Sequence, residues 1–306
     1  MRRKLLNGKM IGVLAVMLVL FMAAGIAEEE RTDTGGQWKY VLEDGGAMIT
    51  GYVDEPSGDL AIPGELDGYP VTAIGFGAFF LCVDLDGVSI PDSVTSIGIC
   101  AFESCRGLIS VTIPDSVTSI GDYAFIYCES LANVPIPDSV TQFGSNPFAN
   151  CPKAFISGPY DSTVYSNVDG VLFEVQQQTL VFYSGAKQGA YIIPEGTLRI
   201  GESAFYACEG LTSVSIPGSV GSIGSHAFYE CVNLISVTVP DSLASIGEYA
   251  FAYCENLTGV TIPASVTSIG EGAFYGCGEL VLSVMQGSFA EQYAKENGIP
   301  YEYIVE

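Results

Sequence analysis

Nine cysteines, one histidine and 35 carboxylates are the groups in this 306-residue chain that could carry chemistry, and their spacing speaks first of packing. Eight cysteines keep one ruler: Cys82, Cys105, Cys128 and Cys151 follow at 23-residue steps, and after a gap so do Cys208, Cys231, Cys254 and Cys277. A disulfide framework places cysteines irregularly and in pairs. One equivalent position in every copy marks an interior rung instead, which suits a small apolar side chain with a weak S–H donor. Parallel Cβ vectors on stacked rungs also do not readily give the near-90° torsion of a disulfide. The eight are read as a ladder of reduced, buried structural thiols. With no CxxC pair and a single histidine, neither a metal site nor a cofactor is expected. Cys100 stands off the ruler, where other copies have Tyr123, Ser203, His226 or Tyr249. It is expected to be more exposed, as the one reactive thiol or as a partner for Cys105.

Catalysis would need groups in unique settings. The histidine, His226, occupies a variable repeat position and reads as a surface residue. No HExxH, G-x-S-x-G or glycine-rich phosphate loop occurs. The carboxylates recur at equivalent places, as Asp92, Asp115, Asp138, Glu195 and Asp241 after the proline and as Asp122, Glu202, Glu248 and Glu271 after the glycine. Recurrence in every copy describes a solvated ladder, not one acid and one base. The expectation is that the chain is not an enzyme.

Binding is the remaining chemistry. A tyrosine stands just before the ladder cysteine in five copies, as Tyr127, Tyr206, Tyr229, Tyr253 and Tyr275. A row of such rings beside carboxylates offers large amphipathic contacts with a preference for cations, so these five form the candidate binding face. Their bland alternative is to cover the outer edge of the core. A second candidate face is the small, hydroxylic one of Ser110, Thr112, Ser213, Ser215, Ser236, Thr238 and Thr261.

The elements that must hold these rows follow from the repeat. An aliphatic residue before proline recurs at Ile90, Ile113 and Ile136, then at Ile193, Ile216, Val239 and Ile262, at 23-residue steps within each block. Two residue types on one period mark a solenoid. One copy buries about six apolar side chains, at roughly 1.5 to 3 kcal/mol each, against about 35 kcal/mol to order 23 residues. A lone copy therefore cannot fold, and stacking must supply the rest. Leu-x-x-Val-x-Ile reads as a short strand stopped by Pro, and Val-x-x-Ile-Gly as a second one with Gly permitting positive φ at the corner. Ala-Phe-x-x-Cys reads as one helical or 3₁₀ turn with Phe in the core.

The string Ile-Pro-x-Ser-Val-Thr-Ser-Ile-Gly-x-x-Ala-Phe-x-x-Cys-x-x-Leu, nearly letter for letter from Ile90, Ile113 and Ile262, resembles the BspA-like (treponemal type) leucine-rich repeat family of bacterial surface and secreted proteins. The resemblance covers residues 49 to 306. It implies a leucine-rich repeat solenoid and a broad role in adhesion to host matrix proteins or other cells, with no shared catalytic residues.

On this reading, residues 1–27 are a signal peptide, with Arg2, Arg3, Lys4 and Lys9 before the apolar run Ile11 to Ala23 and small residues at Gly25 and Ala27. Residues 28–61 form an N-terminal capping hairpin, 62–156 repeats 1–4, and 157–192 an inserted β-hairpin of Val171 to Val175 and Thr179 to Tyr183. Residues 193–284 form repeats 5–8, and 285–306 a C-terminal cap with a helix from Ser288 to Asn297. Cleavage would remove four of 11 basic residues and none of the 35 acidic ones, leaving 7 − 35 = −28. Such a charge excludes nucleic acid as a partner and disfavours insertion into anionic membranes. The expected protein is a secreted or cell-surface module recognising an extracellular protein or glycan of basic character. The alternative is a self-associating envelope protein. The oligomeric state is left open.

Overall fold

The computed structural model describes residues 29–176 and 178–304; the signal-peptide reading falls on residues outside that range. The chain winds into a β-solenoid whose coils stack at the 23-residue period, and the only α-helix among the described residues is the C-terminal one. No helix among them is long and apolar enough to cross a membrane.

Each coil contributes to three parallel ladders. The first uses the Leu-x-x-Val-x-Ile strands: Leu85–Ser89 pairs with Ser110–Thr112 in register Val88↔Val111, and Leu211–Ser215 with Ser236–Thr238 in register Val214↔Val237. Alternation places Val111 and Val237 inward, with Ser110, Thr112, Ser236 and Thr238 exposed. The second uses two-residue strands, such as Ser119–Ile120 beside Ser96–Ile97 and Ser245–Ile246 beside Ser222–Ile223.

The third ladder is the Ala-Phe-x-x-Cys segment, which the structure builds as successive turns, not as a helical turn. Alternate N–H groups are spent sideways, between coils, while Ala252 and Cys254 donate within the coil to Tyr249 and Phe251. Tyr249, Phe251 and Tyr253 donate to the carbonyls of Glu271, Ala273 and Tyr275 at 2.9, 2.7 and 2.7 Å. That geometry requires left-handed backbone at two places per coil. Cys100, Tyr123, Ser203, His226 and Tyr249 adopt positive φ five residues before the cysteine, and Ser104, Tyr127, Ala207, Glu230 and Tyr253 do so immediately before it. A left-handed L-residue costs about 1–2 kcal/mol, which the inter-coil hydrogen bond offsets. The glycine of Ile-Gly plays a different part from the one expected. Gly121 and Gly247 do not have positive φ; a Cβ there would stand 2.7 and 2.4 Å from the backbone nitrogens of Ile99 and Ser225 in the coil before. The glycine serves close approach, and the left-handed turn falls two residues later.

Within this frame the core is a set of columns. Phe79, Phe102, Phe125 and Phe148 stack at 4.9, 5.1 and 5.4 Å, and Phe205, Phe228, Phe251 and Phe274 at 4.6, 5.0 and 5.4 Å. The serine of Ile-Pro-x-Ser-Val has its own reason: Ser116, Ser139, Ser242 and Ser265 each donate Oγ to a backbone carbonyl of the preceding coil at 2.6–2.8 Å.

Three elements keep the array continuous and closed. The insert forms an antiparallel meander of Tyr165–Val168, Val171–Glu174 and Thr179–Tyr183, one strand more than the expected hairpin. Its last strand pairs in parallel with Arg199–Ile200, Leu180 opposite Ile200, and so takes the place of a missing rung. Phe182 meets Phe148 at 5.9 Å and Tyr183 meets Phe205 at 4.8 Å, which carries the aromatic column across the break. At the N-terminal end Trp38–Glu43 and Gly46–Tyr52 form a hairpin, with Trp38 edge-on and Tyr52 stacked on Phe79, both at 6.2 Å. At the other end the helix Phe289–Asn297 starts from Ser288, whose side chain accepts the Glu291 N–H, and stops at left-handed Gly298.

Candidate functional site

The turn ladder decides what the outer surface carries. Residues two before the cysteine project from ordinary backbone and those one or five before it from left-handed backbone, so neighbouring sequence positions reach one surface from different directions. Tyr206, Tyr229 and Tyr275 occupy the first kind of position, and Tyr127 and Tyr253 the second. The fold still brings four of them into one row. Tyr206 and Tyr229 stack at 5.1 Å, Tyr229 meets Tyr253 edge-on at 5.4 Å, and Tyr253 meets Tyr275 edge-on at 5.4 Å. His226 and Tyr249 widen the row, stacked on each other at 5.5 Å, with His226 also 5.5 Å from Tyr229. Sequence reasoning passed over Tyr249 as a site residue, although its place in the repeat equals that of His226.

Tyr127 lies apart from this row in sequence and in the ladder, in the array before the insert. It interacts through its hydroxyl with that of Tyr206, so the two halves of the turn face meet across the interruption. Burial raises the pKa of Tyr127, Tyr206 and Tyr253, and raises Tyr229 to about 12. At neutral pH these hydroxyls stay protonated and can donate as well as accept. Tyr275 is 59% exposed, while Tyr127, Tyr206, Tyr229 and Tyr253 are half-buried, each packing one side of its ring and leaving part to solvent.

The thiols have a different office. Cys82, Cys105, Cys128, Cys151, Cys208, Cys231 and Cys254 are free and buried, and Cys277 is half-buried. Sγ of Cys105, Cys128, Cys151, Cys231, Cys254 and Cys277 donates to the backbone carbonyl of the phenylalanine 26 residues earlier, at 3.0–3.2 Å. Burial pushes the Cys128, Cys208, Cys231 and Cys254 thiols well above the ordinary thiol range, and raises Cys277 to about 11. Such thiols are poor nucleophiles. Cys100 corrects the sequence expectation: it is 8% exposed and free, and its thiol is held up by burial and by a hydrogen bond with the Glu103 side chain. Glu103, three residues on, is itself 2% exposed, and its Oε1 is a buried oxygen without a hydrogen-bond partner among the described residues. The thiol nearest solvent is Cys277.

Charge around the row is of one sign. Between residues 200 and 294 the chain has no Lys or Arg and nine carboxylates, Glu202, Glu209, Glu230, Asp241, Glu248, Glu255, Glu271, Glu279 and Glu291. Burial raises the pKa of Glu230, with Glu209 adding to the shift. Among the described residues no group of three or more His, Cys, Asp or Glu side chains is placed to hold a metal ion.

Comparison with known proteins bears on this geometry. Residues 68–167 and 178–294 match the model of the BspA type leucine rich repeat region in six copies. A leucine rich cell surface protein from Faecalibacterium prausnitzii is similar in structure, with 26% sequence identity, a TM-score of 0.59, and coverage of 92% of this chain and 96% of that one. The pneumococcal vaccine antigen PcpA has the same fold, with a TM-score of 0.63 at 15% identity, over 92% of this chain and 100% of that one. No curated protein sequence matches the chain.

Proposed function

The chain belongs to the BspA-type leucine-rich repeat family, and from that premise we propose that it is an exported, non-enzymatic recognition protein that holds a protein or glycan on its turn face. The observation that carries this reading is the unbroken contact of Tyr206, Tyr229, Tyr253 and Tyr275 on the outside of a rigid hydrogen-bonded ladder. Large rings with protonated hydroxyls, fixed before the partner arrives, supply contact area at a small cost in side-chain entropy. The likeness to a cell surface protein supports export. The spread of carboxylates over equivalent coil positions supports binding over paired-carboxylate catalysis, which needs an acid and a base in unlike settings.

The test is a binding screen of the purified chain against extracellular-matrix proteins, mucins and glycans, repeated with Tyr206→Ala, Tyr229→Ala and Tyr253→Ala combined. Loss of a partner at unchanged fold is the expected result. Equal binding by the triple variant would move the site to the Ser/Thr strand face or to the 165–183 meander, and no partner in any class would defeat the recognition reading.

A further inference from the structure

The last full coil differs from those before it. At its two left-handed positions it carries Gly272 and Gly276, where earlier coils carry Tyr249 and Tyr253, His226 and Glu230, or Ser203 and Ala207. A Cβ on Gly272 would stand 2.4 Å from Cε1 of Tyr249, and one on Gly276 would stand 2.8 Å from Cδ1 of Tyr253. Both rings therefore lean over bare backbone. The result is a hollow of about 560 Å³ lined by His226, Tyr229, Tyr249, Tyr253, Tyr275, Glu271 and Asn297, with His226 and Tyr249 stacked on each other.

Its chemistry is selective. The walls are aromatic faces and edges, with Tyr253 and Tyr275 nearly perpendicular at 85°. Glu271 is exposed and brings a carboxylate. Asn297 has its amide nitrogen on the Tyr293 carbonyl at 2.9 Å, which leaves its oxygen as an acceptor. The lining contains no Lys or Arg, and its one imidazole is that of His226. Aromatic faces with a carboxylate and a carboxamide oxygen suit a planar, weakly hydrated cation that can stack and donate along its edge at once. A compact ammonium is more strongly hydrated and gains less from such walls.

We propose that this hollow binds the guanidinium of an arginine side chain presented by a basic polypeptide, with the rings holding its face and Glu271 its edge. The assignment rests on the recognition reading above and names the partner chemistry for the C-terminal end of the same face. No Lys or Arg is among the lining residues, and Lys295, two residues from Asn297, is paired with Glu291; the carboxylates of residues 200–294 add long-range attraction for a basic partner.

The experiment measures binding of nona-arginine, nona-lysine and a neutral oligosaccharide to the full chain by calorimetry, at low and at physiological salt. Nona-arginine is expected to bind more tightly than nona-lysine, more weakly as salt rises. The paired variant Tyr249→Leu with Tyr253→Leu should weaken nona-arginine by at least about tenfold, while Tyr249→Phe with Tyr253→Phe stays within about threefold, because phenylalanine keeps the aromatic face and leucine does not. Glu271→Arg, a change at an exposed side chain that does not depend on repacking the rings, should abolish the preference for arginine by filling the hollow with its own guanidinium. Equal affinity for the two cationic peptides, or indifference to both the leucine pair and Glu271→Arg, would reduce the interaction to general charge and overturn the proposal. Capture of the neutral oligosaccharide, lost in the leucine pair, would also overturn it while leaving the recognition reading standing.

Discussion

Sγ of Cys231 donates to the backbone carbonyl oxygen of Phe205, 3.0 Å away and one coil earlier, and that oxygen also accepts the Cys208 N–H at 3.2 Å. The cysteine rung is thus a hydrogen-bonding rung that locks each phenylalanine's backbone to the next coil. Buried thiols so engaged resist modification, and burial also raises the pKa of Cys128, Cys231, Cys254 and Cys277. The native protein is expected to react with one or two equivalents of a thiol reagent, Cys277 first, and the denatured, unreduced chain with nine. Labelling followed by peptide mapping checks the order. Early modification of Cys100 would contradict its burial, and the absence of free thiol after denaturation would show cross-linked rungs.

Phe228 sits between Phe205 and Phe251 at 4.6 and 5.0 Å and is fully buried. Phe228→Ala opens a cavity in the middle of the column and should cost about 3–5 kcal/mol. Phe125→Ala should cost a similar amount in the first array. Denaturant titration measures both, and an unchanged midpoint for either would remove that residue from the core.

Burial raises the pKa of Glu103 above its ordinary value of 4.5, with the Cys100 thiol hydrogen-bonded to it and Tyr127 the other titratable group nearby. The folded chain therefore holds this proton more tightly than the unfolded chain does. Its stabilising contribution is complete below the ordinary value and is lost as pH rises through the folded value. Above the folded value the buried carboxylate is ionised at a cost, so Glu103→Gln should stabilise the protein there by about 1 kcal/mol. That advantage should shrink as pH falls towards 4. Melting curves across the range decide it, and a gain that persists unchanged at low pH would point to packing instead.

Ala207 is buried with φ at 53° and gains little from its methyl in a conformation that glycine adopts freely. Ala207→Gly should leave stability unchanged or raise it by about 0.5–1 kcal/mol, in contrast to the loss expected in a helix or strand interior. A loss larger than 1 kcal/mol would show that the methyl packs more than it strains.

The 23-residue ruler was enough to establish the solenoid and the inward columns of Phe125 and Cys128 and their counterparts, while local signals, Ser288 at the N-cap and Gly298-Ile299-Pro300 at the stop, marked the capping helix. The reason is that stacking makes each coil's neighbour a copy of itself. A residue type repeated on the period must then meet its own kind, and only a buried position holds one type so strictly. The sequence also carried an unused sign of the left-handed turns, since Gly77, Gly272 and Gly276 share positions with His226, Tyr249 and Tyr253. Periodicity gives no account of what lies across a break or beside a coil. Tyr127 and Tyr206 are 79 residues apart in sequence, on opposite sides of the insert, and still interact through their hydroxyls. Tyr253 joins Tyr229 and Tyr275 although its backbone is of the opposite hand. Cys100 is buried although it stands off the cysteine ruler. These outcomes depend on the direction in which each side chain leaves its turn and on how far it leans over the next coil, and only the folded backbone sets those two quantities.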